Sequence, residues 1–159
     1  MADEPRAPGL AEAVKQGMYA RDHAAQTLGI TVDEVEEGFA RCRMSVRGDM
    51  INGHGTCHGG LIFALADTAF AYACNACNRT TVALGGQITF VAPARAGDEL
   101  SATARERSRS GRTGVYDVEV GRADGTTVAL FRGNAYETRG EVVATPERAR
   151  AAERRGAGE

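Results

Sequence analysis

NGHGTCHGGLIFALADTAFAYACN, residues 52–75, is the stretch on which the reading of this chain turns. Between Leu61 and Cys74 the only clearly polar side chains are Asp67, Thr68 and Tyr72. A run this apolar on nearly every side predicts a helix, from His58 to about Cys77, that must be wrapped by other structure rather than laid on a surface. A carboxylate in such a helix is costly unless it is paired or used, which singles out Asp67. Gly59 and Gly60 at its start allow a ligand to come close to free backbone N–H groups, where the helix dipole favours negative charge. An oxyanion cradle and a carboxylate in an apolar setting point to acyl transfer.

The chain has 159 residues, 43% apolar and 25% charged, with a net charge of −2, so one domain with a sizeable core is expected. That balance offers nothing to nucleic acid or an anionic membrane surface. The apolar run is broken by Asp67 and falls short of the ~20 residues a membrane span needs. Asp3 and Glu4 precede any apolar stretch, unlike a signal peptide, so a cytoplasmic protein with reduced cysteines is expected. Lys15 is the one lysine, which argues against Schiff-base chemistry.

Around the apolar helix, Leu10 to Leu28 reads as one amphipathic helix closed by Gly29. Ile30 to Glu36 reads as a strand, and Gly38 turns the chain. From Phe39 to Arg47 the alternation of Ala40, Cys42, Met44 and Val46 with Arg41, Arg43, Ser45 and Arg47 is that of a half-buried strand. After the helix come strands over Thr80 to Val91, Leu100 to Arg109, Val115 to Arg122 and Thr127 to Thr138, with turns at Gly97-Asp98, Gly111 and Asp124-Gly125. Short connections require antiparallel pairing. The expected architecture is therefore α+β: a curved antiparallel sheet around one long central helix, the hotdog fold. Residues 10–140 form this domain, between a loose N-terminus (1–9) and a tail (141–159).

Gly59 and Asp67 share a helix face but stand eight residues, ~12 Å, apart. If both act on one carbon they must come from different subunits, which implies a homodimer with two equivalent sites. The chemistry read here is thioester hydrolysis. The Gly59 N–H holds the oxyanion, and Asp67 attacks the carbonyl or activates water. Asn52 or Thr68 orients the water, and His58 holds the loop or touches the thioester. Structural readings stand beside these: a turn at Asn52, close packing at Gly60, and a donor role for His58. His54, Cys57, His58, Cys74 and Cys77 include half of a zinc pattern, but buried, inert cysteines are the simpler reading and no metal is expected. Arg105, Arg107 and Arg109 alternate along one strand face with Arg112 after the turn. They are either a solvated face or a basic edge for the phosphates of coenzyme A, to which Arg132 and Asn134 are added. Phe63, Phe70, Tyr72 and Phe90 are candidates for an acyl pocket, with core packing the default for each.

Residues 52–75, with Thr113 to Val118 and Thr127 to Gly133, resemble the hotdog-fold acyl-CoA thioesterases, and more narrowly those of phenylacetic acid degradation, over roughly residues 10–140. The resemblance implies that Asp67 is the catalytic carboxylate, that Gly59 supplies the oxyanion N–H, that Asn52 lies in the site, and that His58 belongs to a His-Gly-Gly motif. It implies dimers, often paired into tetramers, with coenzyme A at the subunit interface as part of substrate and product, and no cofactor or metal beyond it. The implied substrates are phenylacetyl-CoA and its ring-hydroxylated relatives, and the implied role is release of trapped coenzyme A. Two other readings remain open: a hotdog enoyl-CoA hydratase or dehydratase, and a non-catalytic acyl-CoA-binding module.

Overall fold

The computed structural model describes residues 9–145. The chain runs α1 (Leu10–Tyr19), α2 (His23–Leu28), β1 (Thr31–Glu36), β2 (Phe39–Ser45), a 3-10 turn at Gly48–Met50, α3 (Gly59–Asn75), β3 (Thr81–Phe90), β4 (Glu99–Ser110), β5 (Thr113–Arg122) and β6 (Thr127–Glu137). The six strands form one antiparallel sheet in the order β1-β2-β4-β5-β6-β3. The sheet curves around α3, which packs against all six strands. This is the hotdog architecture expected from the sequence.

Helix α3 is rich in good helix formers and carries no proline. Its first turn is capped by His58, whose Nδ1 accepts from the Gly60 N–H at 3.0 Å. Its far end is tied to β3 by Asn75, whose Nδ2 donates to the Thr81 carbonyl and whose Oδ1 accepts from the Thr81 N–H, both at 2.9 Å. In the core, the Phe70 ring lies 5.8 Å from Phe131 and 5.4 Å from Tyr116, and Phe63 meets Phe131 edge-on at 5.3 Å. Those rings need glycine beneath them. A Cβ at Gly133 would stand 2.9 Å from both Phe70 and Phe131, and one at Gly86 would stand 2.7 Å from Phe131. The sheet can therefore close on the helix only where β3 and β6 carry no side chain.

Two features depart from the sequence reading, and a third adds to it. The single helix expected over Leu10–Leu28 is two helices. The Asp22 carboxylate accepts from the Ala25 N–H at 3.0 Å and caps α2, and its second oxygen accepts from the buried Tyr72 hydroxyl at 3.2 Å. That pairing breaks the first helix, while Gly29 closes α2 in the left-handed region as expected. Second, a bulge between Glu106 and Ser108 on β4 ends the alternation of arginines. Arg105 and Arg107 point outward, and Arg109 turns to the helix side, against Cys77 and Glu137. Third, the chain past Gly140 is anchored: Asn78 Oδ1 accepts from the N–H groups of Val142 and Val143, and Asn78 Nδ2 donates to the Val143 carbonyl. Residues 1–8 of the N-terminus expected to be loose, and the tail from Pro146, lie outside the described residues.

Truncating Phe70 removes the ring that joins helix to sheet. Phe70→Ala is expected to lower the unfolding free energy by about 3–5 kcal/mol, read from the urea midpoint at unchanged slope.

Candidate active site

The segment before α3 is a small closed loop. Ile51 and Cys57 form a β-bridge across its neck, the Asn52 N–H donates to the Thr56 carbonyl at 2.8 Å, and Gly55 takes a left-handed turn. The His58 N–H donates to the Met50 carbonyl at 2.8 Å, and the Cys57 N–H to the Ala94 carbonyl at 2.8 Å. These bonds aim the start of α3 into a cleft of about 450 Å3 lined by Asn52, Gly59, Ile62, Phe90 and the segment Val91 to Ala94.

The backbone donors at this helix end are not equivalent. Gly60 is spent on His58, and Leu61 donates to the His58 carbonyl at 2.9 Å. The Gly59 N–H has no acceptor among the described residues. It is the donor left free at the positive end of a 17-residue helix. His58 is itself exposed, and with Nδ1 accepting, its neutral ring carries the proton on Nε2. Asn52 is committed on one side only. Its Oδ1 accepts from the His54 N–H at 2.9 Å and from the Thr56 N–H and hydroxyl at 3.3 Å, which leaves the amide NH2 as a free donor on the cleft. It can donate to an oxyanion but has no carbonyl free to accept a proton from water.

Asp67 stands two turns further along α3, on the stripe of Phe63 and Phe70 that faces β6 and Gly86 of β3. It is half-buried and has no hydrogen-bond or ion-pair partner among the described residues. Burial alone raises its pKa above the ordinary aspartate value. It does not line the cleft that Gly59 enters. The helix is unbroken between the two residues, so their separation of about 12 Å stands. Thr68 donates its hydroxyl proton to the Ala64 carbonyl at 2.7 Å, so toward a water it can only accept.

The arginines expected to bind phosphates lie elsewhere. Arg107 and Arg132 flank Asp117 on the outer face of the sheet, at 2.9 Å and 2.6 Å. The Arg132 hydrogen bond first, then Arg107, hold the Asp117 carboxyl below its usual value. They border a groove of about 800 Å3 that is larger than the Gly59 cleft but lies on the sheet's outer surface and contains none of the loop or α3 residues. Arg109 is engaged with Cys77 and Glu137. Arg112, in the β4–β5 turn, and Asn134, within β6, are exposed and do not line the cleft. Among the described residues no three His, Cys, Asp or Glu side chains are gathered to hold a metal. Burial pushes the Cys42 and Cys74 thiols up to about 12, as expected of packing residues. Among the described residues no helix is long and apolar enough to cross a membrane.

The sequence reading missed the wall made by Val91 to Ala94 and its brace. Arg122 donates to the Pro93 carbonyl at 3.2 Å from the β5–β6 turn. A Pro-Ala pair between two strands is a signal only of a connection, so its place in the site came from the fold.

A curved sheet around an apolar helix, with a free glycine N–H at the helix start and a partnerless carboxylate along it, is the hotdog thioester hydrolase arrangement. The chain belongs to the Thioesterase superfamily, whose model matches residues 54–129. It is 48% identical to the acyl-coenzyme A thioesterase PaaI of Escherichia coli K12, over 79% of this chain and 89% of that protein. The solved structure of E. coli PaaI, a protein of the phenylacetic acid degradation operon, matches with a TM-score of 0.80 at 46% identity, covering 84% of this chain and 99% of that one. A Streptococcus mutans protein solved with acetyl-CoA bound matches with a TM-score of 0.67 at 25% identity, over 70% of this chain and 90% of that one.

An unpaired, half-buried carboxylate destabilises the fold when ionised. Its folded pKa lies above its unfolded one, so the penalty is absent below the unfolded value and complete above the folded value. Asp67→Asn should therefore melt higher than wild type at pH 8, and the difference should vanish near pH 3. Equal melting shifts at both pH values would show that the carboxylate is not desolvated.

Proposed function

We propose that this protein hydrolyses acyl-CoA thioesters, with arylacetyl-CoA, phenylacetyl-CoA or its ring-hydroxylated forms, as the preferred substrate class. The observation that carries the reading is the pairing of one unbonded N–H at the start of α3 with one partnerless carboxylate on the same apolar helix. The relatives that support it are the E. coli thioesterase and the acetyl-CoA complex described above.

In this reading the thioester carbonyl oxygen accepts from the Gly59 N–H, with the Asn52 amide as second donor. Both strengthen as the oxygen gains charge in the tetrahedral intermediate. Asp67 either attacks the carbonyl carbon, forming an anhydride that water then opens, or removes a proton from the attacking water. The thiolate of coenzyme A departs, and a carboxylic acid remains. The raised pKa of Asp67 sets the acid limb of the pH profile above the ordinary carboxylate range, because only the ionised form works. His58 and Gly60 shape the helix start without touching the substrate, and Thr68 offers the water an acceptor.

The Asp67 in each site belongs to a second copy of the chain. Gly59 and Asp67 of one chain are too far apart to meet one carbon, and Asp67 is absent from the cleft. The sheet supplies the place for the second copy. Edge strand β1 carries Asp33 and Glu34, paired with Arg43 and Arg41. Edge strand β3 has no charged residue from Thr81 to Phe90 and exposes Val82 and Leu84. Charges guard the first edge against pairing, and the second is unguarded. Two copies joined along β3 by a two-fold axis place two equivalent sites across it, and pairing of such dimers gives a tetramer. No cofactor or metal enters this chemistry; coenzyme A is part of substrate and product.

Free thiol release from phenylacetyl-CoA by wild type is expected to be lost in Asp67→Asn at unchanged oligomer size. Tight binding without turnover would instead fit an acyl-CoA-binding module, and water addition to an enoyl-CoA a hydratase. Sharing of the site is tested by mixing. Asp67→Asn chains refolded together with Gly59→Pro chains, which lack the N–H, should recover about one quarter of wild-type activity, since half the dimers are mixed and each has one intact site. No recovery in verified mixed dimers would place both groups in one chain.

A further inference from the structure

Phe90, the last residue of β3, is unlike the other phenylalanines near α3. Phe70 and Phe131 are buried in the core, whereas Phe90 is 51% exposed. A Cβ at Gly59 would stand 2.8 Å from Phe90 Cζ and 3.2 and 3.3 Å from its two Cε atoms. The tip of the ring therefore fills the space a Gly59 side chain would take, at the first residue of α3. It shares the cleft with Ile62, Val91 and Pro93, all apolar. A half-exposed phenyl ring on the wall of a largely apolar cleft is surface that a ligand gains by covering.

We propose that Phe90 is the specificity-determining residue of this site, the ring against which the aryl group of an arylacetyl thioester packs. The assignment rests on the thioesterase reading, with the carbonyl held at Gly59. One methylene separates the substrate ring from that carbonyl. A carbonyl bonded to the Gly59 N–H thus carries its ring to the neighbourhood of Phe90, and packed aromatic pairs stand about 4.5–7 Å apart between centroids. An unbranched acyl chain covers the same wall without the edge-to-face complement. The position explains why Gly59 carries no side chain: a methyl group there would push the ring out of the cleft mouth.

The test compares phenylacetyl-CoA with hexanoyl-CoA on the full-length oligomer of wild type, Phe90→Tyr, Phe90→Leu and Phe90→Ala. The ratio of kcat/KM for the two substrates is expected to hold within about threefold in Phe90→Tyr and to fall about tenfold in Phe90→Leu and Phe90→Ala, the loss of an aromatic contact of roughly 1.4 kcal/mol. An unmoved ratio, with both substrates losing activity equally, would overturn the assignment and leave Phe90 as packing. Dissociation of Phe90→Leu to monomers would overturn it too, since the ring would then belong to the subunit contact. Failure of wild type to release thiol from either substrate would sink the thioesterase reading itself and the assignment with it.

Discussion

Burial of α3 is the constraint on which the rest depends. A helix with Ile62, Leu65, Phe70, Tyr72 and Cys74 all out of water keeps only the partly exposed stripe of Ala64, Asp67, Thr68 and Ala71, and the sheet must curve to cover the rest. The curvature is set where rings meet glycines: Phe131 and Phe70 over Gly133, and Phe131 with Phe63 over Gly86. Once the helix is enclosed, it can present chemistry only at its exposed start or at a break in its apolar surface. Gly59 is the start and Asp67 is the break. The proposed site is thus a by-product of how the core is built, with its two candidate groups held rigidly because they share one largely buried helix.

In the proposed reading the same rigidity makes one chain insufficient. A continuous helix cannot fold back to bring Gly59 and Asp67 together, and a half-buried anion with no partner is a cost to the isolated chain. The sheet edges carry opposite instructions. The ion pairs of Asp33 and Glu34 close the β1 edge, while the uncharged β3 edge runs beside both Gly86, under Phe63 of the Asp67 stripe, and Phe90, against Gly59. The edge that invites a second copy is the one on which the cleft opens. The outer face tells the complementary story. Arg107 and Arg132 share one carboxylate, Asp117, on the outer-face groove, away from the Gly59 cleft.

Much of this was legible in the residues. The apolar run, its lone carboxylate and the diglycine announced the central helix, and the alternation of Ala40, Cys42, Met44 and Val46 announced a half-buried strand. The misreadings share a cause. The helix break at Asp22 depends on Tyr72, fifty residues away in sequence, which uses the second oxygen of the capping carboxylate. The bulge at Glu106 and Ser108 is a one-residue register slip, and it sends Arg109 to the opposite face from Arg107 with no local mark in composition. The candidate site divides in the same way. Asp67 and Gly59 stood out by type and setting. That Gly60 is consumed by His58, that Asn52 keeps only its donor, and that Phe90 is open to water while Phe70 is not, are outcomes of hydrogen-bond direction and packing.

By itself, then, the sequence determined the hotdog class, the order of the strands around the central helix, and the helix that carries the candidate groups. Hydrophobic periodicity and the cost of a buried charge are written in residue types at short spacing. Only the tertiary structure decided which donor stays free, which side chains wall the cleft, and which arginines are already paired with carboxylates. Those depend on distances between segments far apart in the chain, where a single ångström, a one-residue bulge or one hydrogen bond changes what a side chain can reach.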